Sequence, residues 1–320
     1  MNSLSNLLEE INKYKYFVAD AKFLSLWPEI HTALKSKKVF CLDSPEENKN
    51  FEIYQQAIDF FLSEGITRDS HLIVIGGGAT SDFGGFIAST ILRGIKWSVV
   101  PTTLLAAVDA SVGGKVGINH QKGKNLIGSF HLPENNYFYY DFLKTLAEEE
   151  MQSGKGEVLK YCFLSQEIFD LVNMEGLSQK TVQACIDYKM QIVEKDFYEK
   201  GERIQLNLGH TLGHALEKCE NIPHGLCVAW GLEKILELFS PSLLDHFYTS
   251  LKKLELTIPE VQKLDKDAFF SYLKSDKKKN IEGEISIIIP RSIGEIEIKK
   301  IETKELKDII LSNDNTKNYF

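Results

Sequence analysis

The 320-residue sequence lacks the features that mark secreted and membrane-spanning proteins. Its five cysteines are odd in number and form no Cys-x-x-Cys pair, which argues against a disulfide framework and a thiolate zinc site. Apolar runs such as "LIVIGGGA" are broken by glycine or proline and are too short to cross a bilayer. Charged residues within the first ten positions interrupt any signal-peptide core. We therefore expect a cytoplasmic protein that does not bind a membrane.

Excess basic charge is also missing. Lys and Arg total 37 against 45 Asp and Glu, a formal net charge of −8, so we expect no broad surface for nucleic acid. Hydrophobic residues make up 43% and charged residues 26%, the balance of a folded globular protein. No internal repeat is visible, which argues against a solenoid. Any site for an anion must therefore be local.

The hydrophobic pattern changes near Leu143. Before it, short β-rich runs such as "KYFVAD" and "KWSVVP" alternate with helical segments, which predicts a parallel α/β sheet. After it, long helical patterns dominate until "EISIIIPRSIGEIEI" near the end. We predict an α/β domain over residues 1–143 and a mostly α-helical domain over 144–320. The final polar stretch, "SNDNTKNY", is expected to fray.

A glycine-rich turn follows one of the predicted strands. The segment "HLIVIGGGATSDFGG" runs from a strand into Gly76, Gly77 and Gly78, and a helix is expected to open near Thr80. Free N–H groups at a helix start favour phosphate, so this turn could bind a dinucleotide. Because the Gly-x-Gly-x-x-Gly fingerprint is absent, a tight turn without a ligand explains the glycines equally well. Asp82 could cap the helix or contact a ribose or nicotinamide group.

A second glycine-rich stretch, "GGKVGINHQKGKNLIG", carries Lys115, Lys122, Lys124 and Asn125. Its spacing is one residue too long for a P-loop, and Asn125 stands where Ser or Thr would hold magnesium, which excludes a nucleoside triphosphatase. Lysines on flexible turns still suit an anion, and Asn can add a hydrogen bond to phosphate or ribose. A solvated surface loop is the alternative.

Three of the eight histidines lie close together in sequence. In "NLGHTLGHALE", His210 and His214 are four residues apart and share one helix face. Thr211 replaces the glutamate of the His-Glu-x-x-His zinc proteases, which excludes that chemistry. With His224 and with Glu157 of "SGKGEVLKYC", they could form a zinc site with an open coordination position. Ordinary hydrogen-bonded histidines are the alternative.

Several long motifs occur in one order: "GGGATSDFGGF", "VPTTLLAAVDASVGGKVGINHQKGKNLIG", "SGKGEVLKY", "LNLGHTLGHALE" and "HGLCVAWG". Together they resemble the 3-dehydroquinate synthase family of sugar-phosphate cyclases, over roughly residues 40–295. The resemblance implies an N-terminal α/β domain that binds NAD and a C-terminal helical domain that binds a divalent metal, zinc in preference to cobalt. It also implies a homodimer and a phosphorylated sugar-acid substrate, 3-deoxy-D-arabino-heptulosonate 7-phosphate.

The resemblance implies a role for individual residues as well. The metal ligands would be Glu157, His210 and His224. Catalytic roles are implied for Lys160, Lys189, Glu199, Arg203, Asn207 and His214. Substrate contacts are implied for Arg93 of the partner subunit, Asp109, Lys115, Asn125 and Lys277. NAD contacts are implied for Asp20, Glu46, Lys49, Gly77, Gly78, Ala79, Thr80, Ser81, Asp82, Thr102, Thr103, Asp109, Lys115, Lys124, Phe142, Leu143, Lys144 and Thr145. Ser81 stands where the family usually has glycine.

Three other functions stay open at the level of sequence. A sister cyclase would make a different carbocycle, and a metal-dependent polyol dehydrogenase would release NADH without releasing phosphate. A non-catalytic binding module that keeps the fold is the alternative from another class. Retention of the proposed ligands and of several basic residues favours the cyclase.

Overall fold

The computed structural model describes residues 3–261, 263–275, 283–313 and 315–319. The chain divides into two compact units, Met1–Ala147 and Glu148–Phe320. The boundary expected after Leu143 falls within the 3₁₀ turn Tyr140–Thr145, at the end of the first unit.

The first unit is built on a five-stranded sheet of order β2-β1-β3-β4-β7, in which every neighbouring pair is parallel. An antiparallel hairpin, β5-β6, stands apart from it. The strands are β1 (Tyr16–Asp20), β2 (Lys38–Leu42), β3 (His71–Gly76), β4 (Lys96–Pro101), β5 (Lys115–His120), β6 (Gly123–Phe130) and β7 (Asn135–Asn136). The predicted α/β class is therefore confirmed.

Helices cover both faces of this sheet. Because successive side chains of a strand point to opposite faces, Ile73 and Val74 of β3 enter two different hydrophobic clusters. Both clusters are buried, which explains the nearly continuous apolar run of β3. The helices are α1 (Leu4–Asn12), α2 (Ala21–Leu26), α3 (Pro28–Leu34), α4 (Pro45–Asn48), α5 (Phe51–Ser63) and α6 (Gly78–Thr90).

The carboxyl ends of β1 and β3 lie side by side, with Ala19 opposite Ile75. The chain leaves β1 toward β2 on one side, while β4 follows β3 on the other. This reversal of strand order is the position where open α/β sheets bind ligands. Only Gly77 separates β3 from α6, so the helix begins at Gly78. The sequence predicts a start near Thr80, two residues later. The first turn of α6 therefore lies at the carboxyl end of the central strands.

The second unit is mostly helical, as predicted. Its helices are α7 (Glu148–Leu164), α8 (Gln166–Glu175), α9 (Gln179–Lys195), α10 (His210–Cys219), α11 (His224–Phe239), α12 (Leu244–Lys253), α13 (Lys266–Ser275) and α14 (Thr303–Ser312). An antiparallel hairpin joins β8 (Glu284–Ser292) to β9 (Glu295–Glu302). Within the described part of the chain, no helix has both the length and the apolar character that a membrane span requires.

Two glycines allow α7 and α11 to touch through their backbones. A Cβ on Gly156 would lie 2.0 Å from the carbonyl oxygen of Gly225, and a Cβ on Gly225 would lie 1.8 Å from that of Ser153. Any larger residue would push the helices apart. The contact brings Glu157 of α7 next to His224, the first residue of α11.

The expectation that the tail frays is wrong for the described residues. Tyr319 accepts a hydrogen bond from the Leu264 N–H at 2.7 Å, and its ring lies 5.7 Å from that of Trp230. Thr316 is buried and donates to the carbonyl oxygen of Ile310. The polar composition of the tail concealed these two anchoring side chains.

Candidate functional site

A buried acid–base pair lies on α7. Glu157 and Lys160 are fully buried, and the Lys160 Nζ donates to Glu157 Oε2 at 2.5 Å. Every residue of α7 from Ser153 to Leu164 is buried, so this helix passes through the interior of its unit. A charged pair is costly there unless the remaining atoms also find partners. The other oxygen of Glu157, Oε1, has no hydrogen-bond partner among the described residues.

Two histidines converge on that oxygen. The Nε2 atoms of His210 and His224 lie 3.5 Å and 3.2 Å from Glu157 Oε1. Each histidine is the first residue of its helix, α10 or α11. Before His210, Gly209 has a φ of 78°, and a Cβ there would lie 2.6 Å from the Val228 carbonyl oxygen. Glycine is required at this position because the left-handed turn touches α11.

The hydrogen bonds on the far side of each ring, at Nδ1, determine which nitrogen carries a proton. Nδ1 of His210 lies 3.0 Å from the carbonyl oxygen of Leu208, and Nδ1 of His224 lies 2.9 Å from Glu217 Oε2. Both partners accept, so both Nδ1 atoms donate, and a neutral ring then presents a lone pair at Nε2. With both rings neutral, as metal binding requires, two such lone pairs and a carboxylate oxygen would converge on one point, where they would stabilise a cation. The donor set of one carboxylate and two imidazoles fits a divalent metal with an open position.

The shifted pKa values agree with a site for positive charge. Burial raises the pKa of Glu157, but the opposing charges, with the Lys160 ammonium first, outweigh it and hold this pKa well below its usual range. Burial lowers the pKa of His210 to about 3, which leaves its ring neutral and able to bind a metal. Burial also acts to lower the pKa of His224, but Glu157 and Glu217 raise it to about 10. The carboxylates therefore favour a positive charge at this point.

His214 belongs to the same cluster. Its ring centroid lies 5.2 Å from that of His210 and 5.5 Å from that of His224, and one ligand atom from each of the three rings falls within 4.8 Å of the others. The geometry thus also permits a three-histidine set. The division into a ligand, His210, and a neighbouring acid–base or hydrogen-bonding group, His214, stays a prediction.

A polar loop follows α9 in the same unit. The Asp196 carboxylate accepts three backbone N–H groups, from Lys200, Gly201 and Arg203, at 2.9, 2.7 and 3.1 Å. These bonds lower the pKa of Asp196, and the bond from the Lys200 N–H has the largest effect. These bonds hold the loop in one shape where it enters the 3₁₀ helix Glu202–Asn207.

Four of the sequence-predicted catalytic residues lie on α9 and around this loop. Arg203 is buried and donates through Nη1 to the carbonyl oxygen of Phe197 at 2.6 Å, while Lys189 is buried on α9. Asn207 donates to Glu199 Oε1 at 2.8 Å, and Glu199 has a φ of 56°. A non-glycine residue in the left-handed region is uncommon and is often found at functional sites.

In the first unit, the glycine turn packs closely on its neighbours. A Cβ on Gly77 would lie 3.1 Å from Thr103 Cγ2, and one on Gly78 would lie 3.0 Å from Ala110 Cβ. The Ser81 hydroxyl, in place of the usual glycine, donates to the Gly77 carbonyl oxygen at 2.9 Å. The turn therefore accommodates Ser81 without opening.

Lys49 forms an ion pair with Asp82, near the start of α6. Lys49 is buried, and its Nζ lies 2.8 Å from Asp82 Oδ2 and 3.6 Å from Glu46 Oε2. Burial raises the pKa of Asp82 to about 6 against the opposing effect of Lys49. Lys124 approaches Glu46 at 3.9 Å, so four of the residues expected to bind NAD lie together. The Asp82 carboxylate accepts from Lys49. The helix α6 begins after Gly77 without a side-chain cap.

The remaining predicted residues have varied surroundings. Phe142 and Leu143 are buried, so their side chains are packed in the protein interior, while Thr145 accepts from Trp27 Nε1 and Asp20 caps α2. Lys144 pairs with Asp141, Thr103 caps the turn before Ala106, and Arg93 and Asn125 have positive φ values.

The other predicted residues are described by their positions. Thr80 and Thr102 are buried, and Ala79 lies in the first turn of α6. Asp109 lies in the π-helical turn Ala106–Ala110, and Lys115 begins β5. Lys277 lies outside the described residues.

Two residues of this region escaped the sequence reasoning. Asp196 organises the polar loop, and Glu217 contacts His224. An aspartate at the end of a helix before a Gly-containing loop is a recognisable signal for the first. Glu217 carries no comparable signal, because its contact depends on how two helices pack.

Two family models match consecutive parts of the chain. The model described as 3-dehydroquinate synthase N-terminal matches residues 39–153, and the model described as 3-dehydroquinate synthase C-terminal matches residues 154–279. Together they cover most of the sequence, including the glycine turn and the histidine cluster.

Relatives with the same description support this match. A 3-dehydroquinate synthase of Staphylococcus epidermidis is 38% identical over 98% of this chain and 92% of its own length. That of Thermococcus kodakarensis is 38% identical over 96% of this chain and 91% of its own length.

Solved structures share the fold. A crystal structure of 2-deoxy-scyllo-inosose synthase is 25% identical, with a TM-score of 0.79, over 94% of this chain and 93% of that one. A 2-epi-5-epi-valiolone synthase from Streptomyces hygroscopicus, solved with NAD+ and Zn2+ bound, is 23% identical, with a TM-score of 0.78, over 94% of this chain and 91% of that one. With both family models and full-length relatives in agreement, the chain belongs to the 3-dehydroquinate synthase family.

Proposed function

We propose that this protein converts 3-deoxy-D-arabino-heptulosonate 7-phosphate into 3-dehydroquinate and phosphate, a phosphate-eliminating lyase reaction of the shikimate pathway and aromatic amino acid biosynthesis. The reaction uses NAD, regenerated in every cycle, and one divalent metal. The observation that carries this proposal is the convergence of Glu157 Oε1 with the Nε2 atoms of His210 and His224. Membership of the family supplies the substrate.

When bound, the metal lowers the pKa of a substrate hydroxyl as a Lewis acid, and NAD takes up a hydride and later returns it. Glu157, His210 and His224 would hold the metal. Zinc is our first choice and cobalt the second, because a set of nitrogen and oxygen ligands accepts both. The Lys160 ammonium, held by Glu157, would stabilise negative charge that develops on the reacting oxygen.

Other residues would bind and orient the substrate. Arg203 offers a planar fork that suits a carboxylate, and Glu199 orients Asn207 through the hydrogen bond between them. Lys189 and His214 would stabilise an oxyanion or exchange a proton with it. Asp109, Lys115, Asn125 and Lys277 are proposed to contact the substrate, with Arg93 supplied by the partner subunit of a homodimer.

NAD would bind at the carboxyl ends of β1 and β3 in the first unit. The N–H groups at the start of α6 suit its pyrophosphate, and the turn from Gly77 to Asp82 brings the backbone within reach. Glu46 and Lys49 would bind the adenosine end, as would Asp20. Lys124, Thr102, Thr103 and the segment Phe142 to Thr145 would line the rest. We place the protein in the cytoplasm, where this pathway intermediate would be available.

The experiment is a phosphate-release assay on the heptulosonate phosphate. With NAD and zinc, release should proceed without accumulation of NADH, because the hydride is returned within the cycle. Release should cease after chelation and recover when zinc or cobalt is restored.

Each alternative has its own result in this assay. Net production of NADH from an alcohol without phosphate release would assign the protein to the polyol dehydrogenases. Release from a different sugar phosphate only would assign it to a sister cyclase. A folded sample with no chelator-sensitive release from any of these substrates would support the non-catalytic binding module.

A further inference from the structure

The two imidazoles of the proposed metal site are oriented by different groups. His210 donates through Nδ1 to a backbone carbonyl, that of Leu208, which no side-chain substitution removes. His224 donates through Nδ1 to the side chain of Glu217, at 2.9 Å. The orientation of His224 therefore depends on one replaceable carboxylate.

Glu217 is placed for this contact by its helix. It lies on α10, two turns after His210 at the start of that helix, while His224 opens α11 after the connection "ENIP". One helix thus supplies a proposed ligand and also the residue that fixes the second ligand. The Glu217 and His224 side chains are 25% and 27% exposed, so the contact is sheltered but not sealed from solvent.

A carboxylate behind a metal-binding histidine has two physical effects. It fixes the tautomer, so that the lone pair lies on the opposite nitrogen, and it makes that nitrogen a stronger donor to the metal. In His224 the opposite nitrogen is Nε2, which already points at Glu157 Oε1 from 3.2 Å. A second negative charge near a divalent cation also offsets the positive charge of Lys160.

We infer that Glu217 is a positioning residue of the metal site: it orients His224 and raises metal affinity without contacting the metal. This inference rests on the proposed function, because it assumes that Glu157, His210 and His224 bind a metal. Glu217 was not among the residues implied by the family resemblance. It acts through His224.

The test is a titration of the metal-free full-length chain with Co²⁺, followed by calorimetry and by the visible absorption of the bound ion. Glu217→Ala should weaken binding by roughly 10- to 100-fold and should alter the absorption spectrum. Glu217→Gln keeps an acceptor oxygen without the charge, so its affinity should fall between those of the alanine variant and the wild type. The exposed Glu220, at the end of the same helix, provides the control Glu220→Gln, with unchanged binding.

The outcomes separate this inference from the proposed function. Wild-type binding together with an unchanged affinity and spectrum in Glu217→Ala would overturn the role of Glu217 alone. A wild-type chain that binds no metal would overturn the proposed function and this inference with it. The unfolding temperature of each metal-free variant shows whether weaker binding reflects a damaged fold, and Glu217→Gln supplies the comparison if the alanine variant is unstable.

Discussion

The helical unit contains two buried lysine–carboxylate clusters of similar composition and different arrangement. In the first, Lys160 contacts Glu157 at one oxygen, and the other oxygen faces two imidazole nitrogens. In the second, on α11, Lys234 lies 2.9 Å from a carboxylate oxygen of each of Glu233 and Glu237. Each lysine pairs with a glutamate three positions away on the same helix.

The difference shows that a buried charged pair alone does not identify a functional site. The Lys234 ammonium also lies 5.0 Å from the centroid of the Tyr319 ring and 5.9 Å from that of Trp230, so its neighbours include two carboxylates and two aromatic rings. Burial lowers the pKa of Lys234, but Glu233 and Glu237 outweigh it and raise the pKa. We interpret this cluster as structural, whereas the carboxylate and imidazole atoms that converge at Glu157 form a donor set that fits a cation.

Exchange of each lysine for an isosteric apolar residue separates the two clusters most strongly. Lys160→Met should reduce the rate of phosphate release by about 10²- to 10⁴-fold, the range for loss of a group that transfers or stabilises a proton. The matched variant Lys234→Met should leave the activity of the folded protein unchanged. Steady-state assays on both variants check this, and equal losses would remove the distinction between the clusters.

Stability should follow a different order. Lys234→Met leaves Glu233 and Glu237 without their shared ammonium group in a buried position, and should lower the free energy of unfolding by about 3–5 kcal/mol. Urea titration at neutral pH measures this change. A loss below about 1 kcal/mol would mean that solvent or a local rearrangement compensates the two carboxylates.

A third buried pair, Lys49 with Asp82, extends the comparison to the first unit through its pH dependence. Burial raises the pKa of Asp82 to about 6 from an ordinary value of 3.8, so the folded state holds this proton more tightly than the unfolded state. The resulting stabilisation is complete below the unfolded value and is lost as pH rises through about 6.

The free energy of unfolding of the wild type, relative to that of Asp82→Asn, should therefore fall by about 2 kcal/mol between pH 4 and pH 7. The comparison with the asparagine variant cancels the titration of other groups. Urea titrations at several pH values measure the difference. A constant difference, or one that grows with pH, would show that Lys49 dominates over burial.

The smallest expected effect concerns the tail that covers the second cluster. Tyr319→Ala removes the contacts with Trp230 and Lys234 and should lower the free energy of unfolding by about 1–2 kcal/mol, with activity retained. The control is Tyr198→Ala, because Tyr198 is an exposed tyrosine in the same unit. Thermal unfolding of both variants measures the effect, and equal small losses would show that the contacts of Tyr319 add no measurable stability.

Sequence reasoning was sufficient where local patterns determine structure. The runs "KYFVAD" and "KWSVVP" became β1 and β4, and the long helical patterns expected after Leu143 are present in α9 and α11. Periodicity shows these elements because each one buries a defined face. The start of α6 was missed by two residues, because its glycines resemble a loop in sequence.

The geometry of the candidate site was less accessible from sequence. The spacing of His210 and His214 predicts a shared helix face, but it gives no indication that Gly156 and Gly225 bring α7 against α11 and so place Glu157 beside His224. Contacts between residues far apart in sequence, such as that of Tyr319 with Trp230, depend on tertiary packing. The residue pattern put Glu157 forward as a member of a possible zinc site, and the family resemblance then singled out Glu157, His210 and His224 as the ligands.

The central claim concerns the cation implied by Glu157, His210 and His224, and one measurement tests it most directly. Bound zinc is determined after dialysis of the wild type, His210→Ala and His214→Ala, together with the phosphate-release activity of the same samples. We predict that His210→Ala loses both metal and activity, whereas His214→Ala keeps the metal and loses activity. Equal loss of metal in both variants would contradict this assignment and favour the three-histidine set that the ring geometry also permits.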